Sequence, residues 1–96
     1  MKPRFAWDAG KAAKNMEKHA VLFEEAATIF EDPMFIMLVD DEHSVDEERY
    51  ITIGLSEHGR LLVVAHTERG DQVRIISARK ASKKEEQFYA EAEGSQ

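Results

Sequence analysis

The spacing of apolar residues predicts two helices in the first third of the chain. The first is expected over residues 9–19, because Asp8 can accept hydrogen bonds from the free amides of a helix start and the segment contains no proline. One stripe of this helix, at i, i+4 and i+7, consists of Ala12, Met16 and His19. The second helix ends before Pro33 and has the spacing of a buried face, formed by Phe23, Ala26, Ala27 and Phe30. Phe5 and Trp7 precede both helices and are expected to form an extended arm that packs on the core.

Apolar runs and alternating patterns predict strands in the middle of the chain. Residues 35–39 form a continuous apolar run typical of a buried strand. Three further strands are expected, over residues 49–56, 60–67 and 72–79. They are separated by His58-Gly59 and Arg69-Gly70, which predict two-residue hairpin turns. These turns would pair residue 57 with residue 60 and residue 68 with residue 71.

This pairing sorts the side chains of the three strands onto two faces of a sheet. One face is almost entirely apolar, and we expect the helices to cover it. Its members are Ile51, Ile53, Leu55, Leu62, Val64, His66, Val73, Ile75, Ser77 and Arg79. The opposite face is mixed and is available to solvent or a ligand. Its members are Tyr50, Thr52, Gly54, Ser56, Leu61, Val63, Ala65, Thr67, Gln72, Arg74, Ile76 and Ala78.

The other segments are predicted to be an acidic loop and a last helix. Residues 40–48 hold six acidic side chains in nine positions, which favours a solvated loop. Ser82 and Glu85 have the spacing of a capping box, so a helix should begin there. Its apolar face would consist of Phe88, Tyr89 and Ala92, and residues 93–96 would form a frayed tail.

These elements predict an α+β fold in a single domain over residues 1–96. Its small antiparallel sheet would have three to four strands, with two N-terminal helices and one C-terminal helix packed on it. The composition, 43% apolar and 33% charged without cysteine, is typical of a globular domain that uses no disulfide and no thiolate chemistry. No apolar run approaches the roughly 20 residues of a membrane span, and no secretion signal is recognisable, so we expect a cytoplasmic protein without a membrane partner.

The net charge of −6 hides a segregated distribution. Residues 1–20 carry five basic and two acidic side chains, and residues 58–84 carry seven basic and two acidic ones. Residues 21–57 carry eleven acidic side chains and one basic one. Segregation this strong usually produces two faces of opposite sign, of which the basic one suits phosphate groups.

Motifs for metals and cofactors are absent from the sequence. The acidic segment begins like a calcium loop, but Val45 stands where that loop requires glycine. The four histidines lack the His-x-x-x-His spacing of zinc sites, and no glycine-rich nucleotide loop occurs. We therefore expect no metal and no cofactor.

Candidate chemistry is concentrated in histidines and in the hairpin over residues 60–79, with two interpretations of each. His66 is either a hydrogen-bonded core residue or an acid–base catalyst, and His19 has either a structural or a phosphate-binding role. Four cations lie on this hairpin and its exit: Arg69, Arg74, Arg79 and Lys80. They either solvate the surface or bind an RNA backbone and stabilise negative charge in a transition state.

The motifs of the chain also resemble those of a known family. In chain order they are Phe5-Ala6-Trp7-Asp8, Lys11, Lys18-His19-Ala20-Val21, Phe23-Glu24-Glu25-Ala26, Asp32-Pro33, Glu48-Arg49, Ile53-Gly54-Leu55-Ser56, Gly59-Arg60-Leu61-Leu62-Val63-Val64, His66-Thr67-Glu68-Arg69-Gly70, Arg74-Ile75-Ile76-Ser77-Ala78-Arg79-Lys80-Ala81, Glu85-Glu86 and Tyr89. Together they resemble the BrnT family of toxins from bacterial type II toxin–antitoxin systems over residues 5–90.

The resemblance implies a fold similar to the RelE-like ribonucleases and a toxin that cleaves RNA without a metal ion and arrests growth. It also implies neutralisation by a BrnA-like antitoxin of the ribbon-helix-helix type, through which alone the complex contacts operator DNA. An alternative is a non-catalytic or degenerate toxin that acts as a protein-binding module and co-repressor with its antitoxin. A third interpretation is a scaffold domain without a site.

The family motifs carry over to individual side chains of this sequence. His66 is expected to act as acid or base with help from Tyr89, while Arg74 and Arg79 stabilise transition-state charge. Phosphate-binding roles are expected for Lys14, Lys18, His19, Arg69 and Lys80.

Two positions depart from the family pattern at helix ends. Ala20 stands where the family usually has glycine, and Leu22 stands where it usually has a small polar residue. Glycine would serve as a left-handed cap, so the end of the first helix would be less tight, and the second helix would lack an N-cap.

Overall fold

A five-stranded mixed sheet forms the centre of the computed structural model, which describes residues 3–94. The strands are β1 (Arg4–Ala6), β2 (Ile36–Val39), β3 (Arg49–Leu55), β4 (Leu61–Arg69) and β5 (Gln72–Lys80). The α-helices are α1 (Ala9–His19), α2 (Phe23–Ala27) and α3 (Lys83–Gly94), and short 3₁₀ helices cover Thr28–Glu31 and Asp41–His43. The strand order is β1-β5-β4-β3-β2. The α+β class is as expected, but the sheet has five strands rather than three to four, because the N-terminal arm pairs with β5 in parallel.

The hydrophobic core lies between one face of the sheet, here called the first face, and the segment from α1 to the first 3₁₀ helix. Its fully buried side chains come from both layers: Val21, Phe23, Ala26, Ile29, Leu62, Val64 and Ala78. Gly54 permits the close approach of the layers, because a Cβ atom there would lie 3.0 Å from the Cβ and backbone oxygen of Ile29. Phe5 and Trp7 pack against this core, as predicted for the N-terminal arm.

The hairpin between β3 and β4 differs from the predicted one by a single residue. Ser56 pairs with Arg60 around a three-residue loop in which Gly59 has a φ of 78°. A three-residue loop of this kind ends in a left-handed residue that forms a bulge. Because a slip of one residue exchanges the two faces of a strand, Thr52 and Gly54 lie on the first face, and Ile51, Ile53 and Leu55 lie on the opposite, second face. The predicted face assignment of β3 was wrong.

The hairpin between β4 and β5 differs from the predicted one in two ways, the position of its loop and the register of its strands. Its two-residue loop is Gly70-Asp71 rather than Arg69-Gly70, and Gly70 has a φ of 59°. A bulge then shifts the register, because His66 pairs with Ile75 whereas the preceding Ala65 pairs with Ser77. Beyond the bulge the faces of β5 are exchanged. Ala78 therefore joins the core, and Ser77 and Arg79 lie on the second face, contrary to the prediction.

Two elements that were expected to bury apolar side chains leave them exposed instead. β2 is an edge strand, and Met37, Leu38 and Val39 remain 37–47% exposed instead of forming a buried strand. Met16 of α1 is 45% exposed, whereas the buried residue of that helix is Asn15. The apolar run and the helical stripe thus gave the type of element correctly but not its position relative to the core.

Asn15 attaches α1 to the edge of β5 beyond the point where β1 ends. Its side-chain nitrogen donates to the carbonyl oxygens of Val21 and Ala78, at 3.0 and 2.8 Å. Its side-chain oxygen accepts from the backbone amide of Ala78 at 3.0 Å. The side-chain amide of Asn15 therefore makes the hydrogen bonds to the backbone of β5 that a further residue of β1 would otherwise make. This contact fixes the position of α1 and of its exposed lysines.

The ends of α1 and α2 have the caps that the sequence indicates. The Asp8 carboxylate accepts from the Lys11 amide, as expected for an N-cap. Ala20 has the left-handed conformation, with φ 58° and ψ 36°, and Leu22 provides no side-chain hydrogen bond at the start of α2. Both departures from the family pattern therefore lie at positions where the usual residue would be more stable.

Replacing Ala20 by glycine is expected to stabilise the protein. The left-handed conformation costs a residue with a Cβ atom roughly 1–2 kcal/mol, and the exposed methyl group of Ala20 has little packing to lose, so we expect the free energy of unfolding to rise by about 1 kcal/mol. Urea denaturation measures this difference. Ala13→Gly, at an exposed position inside the same helix, should lower the stability by about 1 kcal/mol. Equal losses in both variants would contradict the prediction.

The last helix begins with the predicted capping box. The Glu85 amide donates to Ser82 Oγ, and the Ser82 amide donates to the Glu85 carboxylate. α3 packs against β3, and Ile53 and Val63 are buried on the second face at this end of the sheet. Tyr89 and Ala92 are half-buried as expected, whereas Phe88 is exposed. The helix extends through Gly94, so of the predicted frayed tail only residues 95–96 lie outside the described residues.

Within residues 3–94, no helix is both long enough and apolar enough to span a membrane.

Candidate functional site

The end of the second face that lies away from α3 contains an open cleft of about 410 Å³. Its floor is formed by β3, β4 and β5, and its walls by α1 and by the acidic segment between β2 and β3. The residues that line this cleft are Lys11, His43, Val45, Asp46, Glu47, Arg49, Thr67, Arg69, Gln72, Arg74 and Ile76. The strand pairing explains why these three strands contribute adjacent side chains to the floor. Arg49 of β3 and Arg74 of β5 both pair with Thr67 of β4, one from each side.

Four cationic side chains surround the cleft, although the whole chain has a net charge of −6. They are Lys11, Arg49, Arg69 and Arg74. The Arg74 side chain is exposed and makes no hydrogen bond to a residue of the described range, although its charge helps to lower the pKa of the nearby Glu47 carboxyl. Its guanidinium group is therefore available to an anion. A planar fork of this kind suits phosphate oxygens and retains its charge at every working pH.

Thr67 contributes an unused hydroxyl group to the floor of the cleft. The residue is only 6% exposed, and its Oγ1 atom has no hydrogen-bond partner among residues 3–94. A buried hydroxyl without a partner is costly in an ordinary protein interior. Its position between Arg49 and Arg74 leaves a hydroxyl group available on the floor of the cleft.

Arg69 is held at the side of the cleft by an ion pair. Its Nε and Nη2 atoms donate to the two carboxylate oxygens of Glu47, at 2.6 and 3.2 Å. The hydrogen bond from Arg69 holds the pKa of the Glu47 carboxyl below its usual range. This two-point contact has the same geometry that an arginine makes with a phosphate. The guanidinium group of Arg69, which the sequence analysis predicts to bind phosphate, is thus bound to Glu47.

A shallower groove of about 350 Å³ continues from the cleft along the boundary of α1 and β5. Lys11 and Ile76 line both depressions. The other residues of the groove are Lys14, Asn15, Lys18, His19 and Ser77. Three of the residues predicted to bind phosphate, Lys14, Lys18 and His19, are therefore brought together, on a helix whose last turn is basic.

His66 lies on the first face and does not reach the cleft. Its side chain is fully buried, with Nε2 at 2.7 Å from Thr52 Oγ1 and the ring stacked on Tyr50. Phe30 contacts the same ring edge-on. Its Nδ1 atom has no hydrogen-bond partner in the described range, and the nearest carboxylate oxygen, from Glu68, is 3.6 Å away. Burial lowers the pKa of His66 to about 4, a shift that the backbone of Thr67 opposes only in part. Of the two interpretations of this histidine, the structure matches the hydrogen-bonded core residue.

The low pKa of His66 predicts a loss of stability in mild acid. The unfolded chain binds a proton on this residue near pH 6.5 and the native state only near pH 4, so the unfolded state holds more protons in between and stability falls as the pH is lowered. Between pH 6.5 and 4.5 this group is expected to remove roughly 2–3 kcal/mol. Urea denaturation at several pH values measures the slope.

The matched variant for this measurement is His66→Gln, because a glutamine amide can bond to the Thr52 hydroxyl but does not titrate in this range. We expect its stability to depend less steeply on pH than that of the wild type. Identical slopes in the two proteins would show that His66 does not cause the acid sensitivity.

The other predicted site residues at the end of β5 and on α3 lie outside the cleft. Arg79 donates through both terminal nitrogens to the Glu85 carboxylate, at 2.7 Å each, and lowers the pKa of Glu85 to about 2. The Tyr89 hydroxyl donates to Asp32 at 2.6 Å. Lys80 pairs with Leu62 and lines neither the cleft nor the groove. The structure therefore does not assemble the four predicted catalytic residues at one place.

Several residues of the cleft were not singled out by the sequence. His43 and Glu47 belong to a segment interpreted as a solvated acidic loop, and Arg49 was the first residue of a predicted strand and the one cation of residues 21–57. Only the pairing of Arg49 with Thr67, which depends on the true register of β3, reveals that the segment borders the floor.

The acidic segment also holds a compact group of polar atoms. Donor atoms of Asp40, Glu42 and His43 lie within 4.8 Å of one another. Exposed groups of this kind are common without an ion, and we assign no metal to this one.

Comparisons with known proteins agree with the resemblance found in the sequence. Residues 7–85 match the family model described as the ribonuclease toxin, BrnT, of type II toxin–antitoxin systems. The fold is similar to the 1.1 Å crystal structure of the Brucella abortus ribonuclease toxin BrnT, with a TM-score of 0.61. That match has 21% sequence identity and covers 85% of this chain and 100% of the other. No curated protein matches the chain.

Proposed function

The chain belongs to the BrnT family of ribonuclease toxins of type II toxin–antitoxin systems, and on this premise we propose that it cleaves RNA without a metal ion in the cleft of the second face. The observation that carries this proposal is the cleft itself. It combines four cationic side chains with the unpartnered hydroxyl of Thr67 and opens into a groove lined by further cations.

We propose that the RNA backbone follows the groove into the cleft. Lys14, Lys18 and His19 would contact phosphates along the groove, and contacts of this kind set position and affinity without reading sequence. The net charge of −6 does not oppose this path, because the cations are concentrated on one surface.

Arg74 is the cation we propose for the scissile phosphate. Cleavage of RNA without a metal places additional negative charge on the phosphoryl oxygens in the transition state, and a guanidinium group already in place stabilises that charge. Arg74 lies at the floor of the cleft, and its exposed side chain makes no hydrogen bond to a residue of the described range. Arg69 would join it when an RNA phosphate displaces Glu47 from its guanidinium group.

Arg79 and Tyr89 have a different role in this proposal. Both connect α3 to the rest of the fold, through Glu85 and Asp32 respectively. We propose that they hold α3 on the second face rather than contact RNA. Lys80 and the buried His66 are likewise left out of the proposed cleavage site.

We further propose that the protein acts in the cytoplasm as a toxin that arrests growth. Its partner would be a BrnA-like antitoxin of the ribbon-helix-helix type, and operator DNA would be contacted through that antitoxin. These roles come from the family, in which a toxin is paired with an antitoxin.

Cleavage of RNA in the presence of EDTA tests the proposed function. The purified protein is expected to convert RNA into fragments with 2′,3′-cyclic phosphate ends, and its expression alone in bacteria is expected to stop growth. The alternative, a non-catalytic toxin that acts as a protein-binding module, predicts intact RNA and normal growth. Intact RNA with a protein that unfolds cooperatively would refute the nuclease.

A further inference from the structure

His43 and Asp40 form a hydrogen-bonded pair at the edge of the cleft. His43 ends the 3₁₀ helix Asp41–His43, and its Nδ1 atom lies 2.8 Å from Asp40 Oδ2. The Asp40 side chain is only 14% exposed, whereas that of His43 is 60% exposed. The carboxylate is therefore largely enclosed and the imidazole is open to solvent, which is the arrangement of an orienting group and the group that it orients.

The backbone around this pair is fixed to the start of β3. The Asp40 amide donates to the Arg49 carbonyl at 2.8 Å, and the Ser44 hydroxyl donates to the Asp40 carbonyl at 2.7 Å. Ser44 Oγ in turn accepts from the Arg49 amide at 2.9 Å. These three bonds connect the pair to the strand that forms one side of the cleft floor, so His43 has a defined position relative to Arg49 and Thr67.

His43 lines the same cleft as Arg74 and Thr67. Because Nδ1 is engaged by Asp40, Nε2 is the ring nitrogen that remains to exchange a proton with a ligand. A carboxylate on one nitrogen selects the tautomer and stabilises the imidazolium that forms when the other nitrogen takes up a proton. Among the described residues that line the cleft, His43 is the one histidine.

We propose that His43, oriented by Asp40, transfers the proton in the RNA-cleavage reaction. This inference rests on the proposed function. It places an acid–base group in the cleft, which the buried side chain of His66 does not reach. Charged groups of every neighbouring element face this part of the cleft. They are Lys11 from α1, Asp40, Glu42, Asp46 and Glu47 from the acidic segment, Arg49 from β3, Arg69 from β4 and Arg74 from β5.

The proposed step balances without a metal or a further cofactor. The neutral imidazole takes the proton of the ribose 2′-hydroxyl at Nε2, and the 2′-oxygen forms a bond to the adjacent phosphorus. The bond from phosphorus to the 5′-oxygen breaks, and its electron pair remains on the 5′-oxygen, which takes a proton from water. The imidazolium then returns its proton to the solvent. The products are a 2′,3′-cyclic phosphate and a 5′-hydroxyl group.

His43→Gln tests the proposal in the purified full-length protein. With a labelled RNA in EDTA, we expect the cleavage rate to fall about 100-fold or more, since general acid–base catalysis contributes factors of this size. Binding of a 2′-O-methylated RNA, which cannot be cleaved, should change less than about threefold, because glutamine leaves the cationic surface intact. His58→Gln, in the exposed turn between β3 and β4, is the matched control and should keep the wild-type rate.

Two further measurements separate catalysis from structural damage. Imidazole added to His43→Ala should restore part of the lost rate, which no structural role explains. The pH–rate profiles of the wild type and of His43→Gln should differ in shape, because the variant lacks the group that exchanges the proton. Asp40→Asn, which changes only the orienting group, is expected to lower the rate about 10-fold and to change the pH profile.

The outcomes distinguish this proposal from the proposed function. A wild-type protein that cleaves RNA while His43→Gln retains a rate within threefold would overturn the role of His43 and leave the nuclease in place. Cleavage that stops in EDTA and returns with a divalent ion would overturn the metal-free reaction of the proposed function, and the proton-transfer step with it. A wild-type protein that cleaves no RNA would refute both proposals together.

Discussion

Replacing Arg74 by alanine is expected to lower the rate of RNA cleavage by about 100- to 1,000-fold, the usual effect of removing one preorganised donor from transition-state charge. The side chain of Arg74, from β5, lines the cleft and makes no hydrogen bond within the described chain, so its removal leaves no buried group unsatisfied. The free energy of unfolding should therefore change by less than about 0.5 kcal/mol. Initial rates on a labelled RNA in EDTA, together with urea denaturation, measure both quantities.

The matched control is Arg4→Ala, which removes an exposed arginine of the neighbouring strand β1. Arg4 forms an exposed ion pair with Asp71 and does not line the cleft or the groove. Its loss should leave the cleavage rate unchanged. Equal rates for the wild type, Arg4→Ala and Arg74→Ala would remove Arg74 from the mechanism.

Replacing Asn15 by alanine is expected to cause a large loss of stability. Three buried backbone groups would lose their partner: the amide and carbonyl of Ala78 and the carbonyl of Val21. With roughly 1–3 kcal/mol for each unsatisfied group, we expect a loss of about 3 kcal/mol or more. For a domain of this size the melting temperature should fall by roughly 12–24 °C. Thermal unfolding followed by circular dichroism measures this shift.

Asn15→Asp separates hydrogen bonding from side-chain volume. Aspartate has almost the same shape, but its carboxylate has no donor for the two carbonyl oxygens and would place a charge beside them. We expect it to be at least as destabilising as alanine. Glu17→Ala, at an exposed position of α1, should change the stability by less than about 0.5 kcal/mol. A mild effect of Asn15→Asp would show that volume, not hydrogen bonding, attaches α1 to β5.

The sequence predicted the types of element well because each has a local physical cause. The Asp8 cap, the spacing of the α2 face, Pro33 and the Ser82–Glu85 capping box act within a few residues of the chain. Strand register does not have such a local cause. A two-residue and a three-residue loop at His58-Gly59 both place glycine in a left-handed conformation, yet they assign β3 to opposite faces.

The bulge on β5 had no recognisable sequence signal. Ile76 is an ordinary strand residue, and the register shift depends on the pairing of β4 and β5 over their whole length. Its consequence is large, because it moves Ala78 into the core and Arg79 to the second face, within reach of Glu85. The predicted arginine cluster was therefore divided between the cleft and the attachment of α3.

The candidate site could be predicted only where its residues share one helix or one hairpin. Lys14, Lys18 and His19 follow from helical spacing, and they do lie together in the groove. Whether His43 and Arg74 lie near each other depends on how an irregular segment folds back over the sheet, which no periodicity describes. The same holds for Asn15, whose role depends on an unpaired strand edge far away in the sequence.

The most direct test of the central claim, that RNA binds in the cleft of the second face, is an NMR titration of the isotope-labelled protein with a 2′-O-methylated RNA. We expect the backbone amide signals of Arg49, Thr67 and Arg74 to shift together with those of the groove. The signals of Gln87 and Glu91, on the exposed side of α3, should not move. Shifts confined to α3 and β2, with the cleft unchanged, would contradict it.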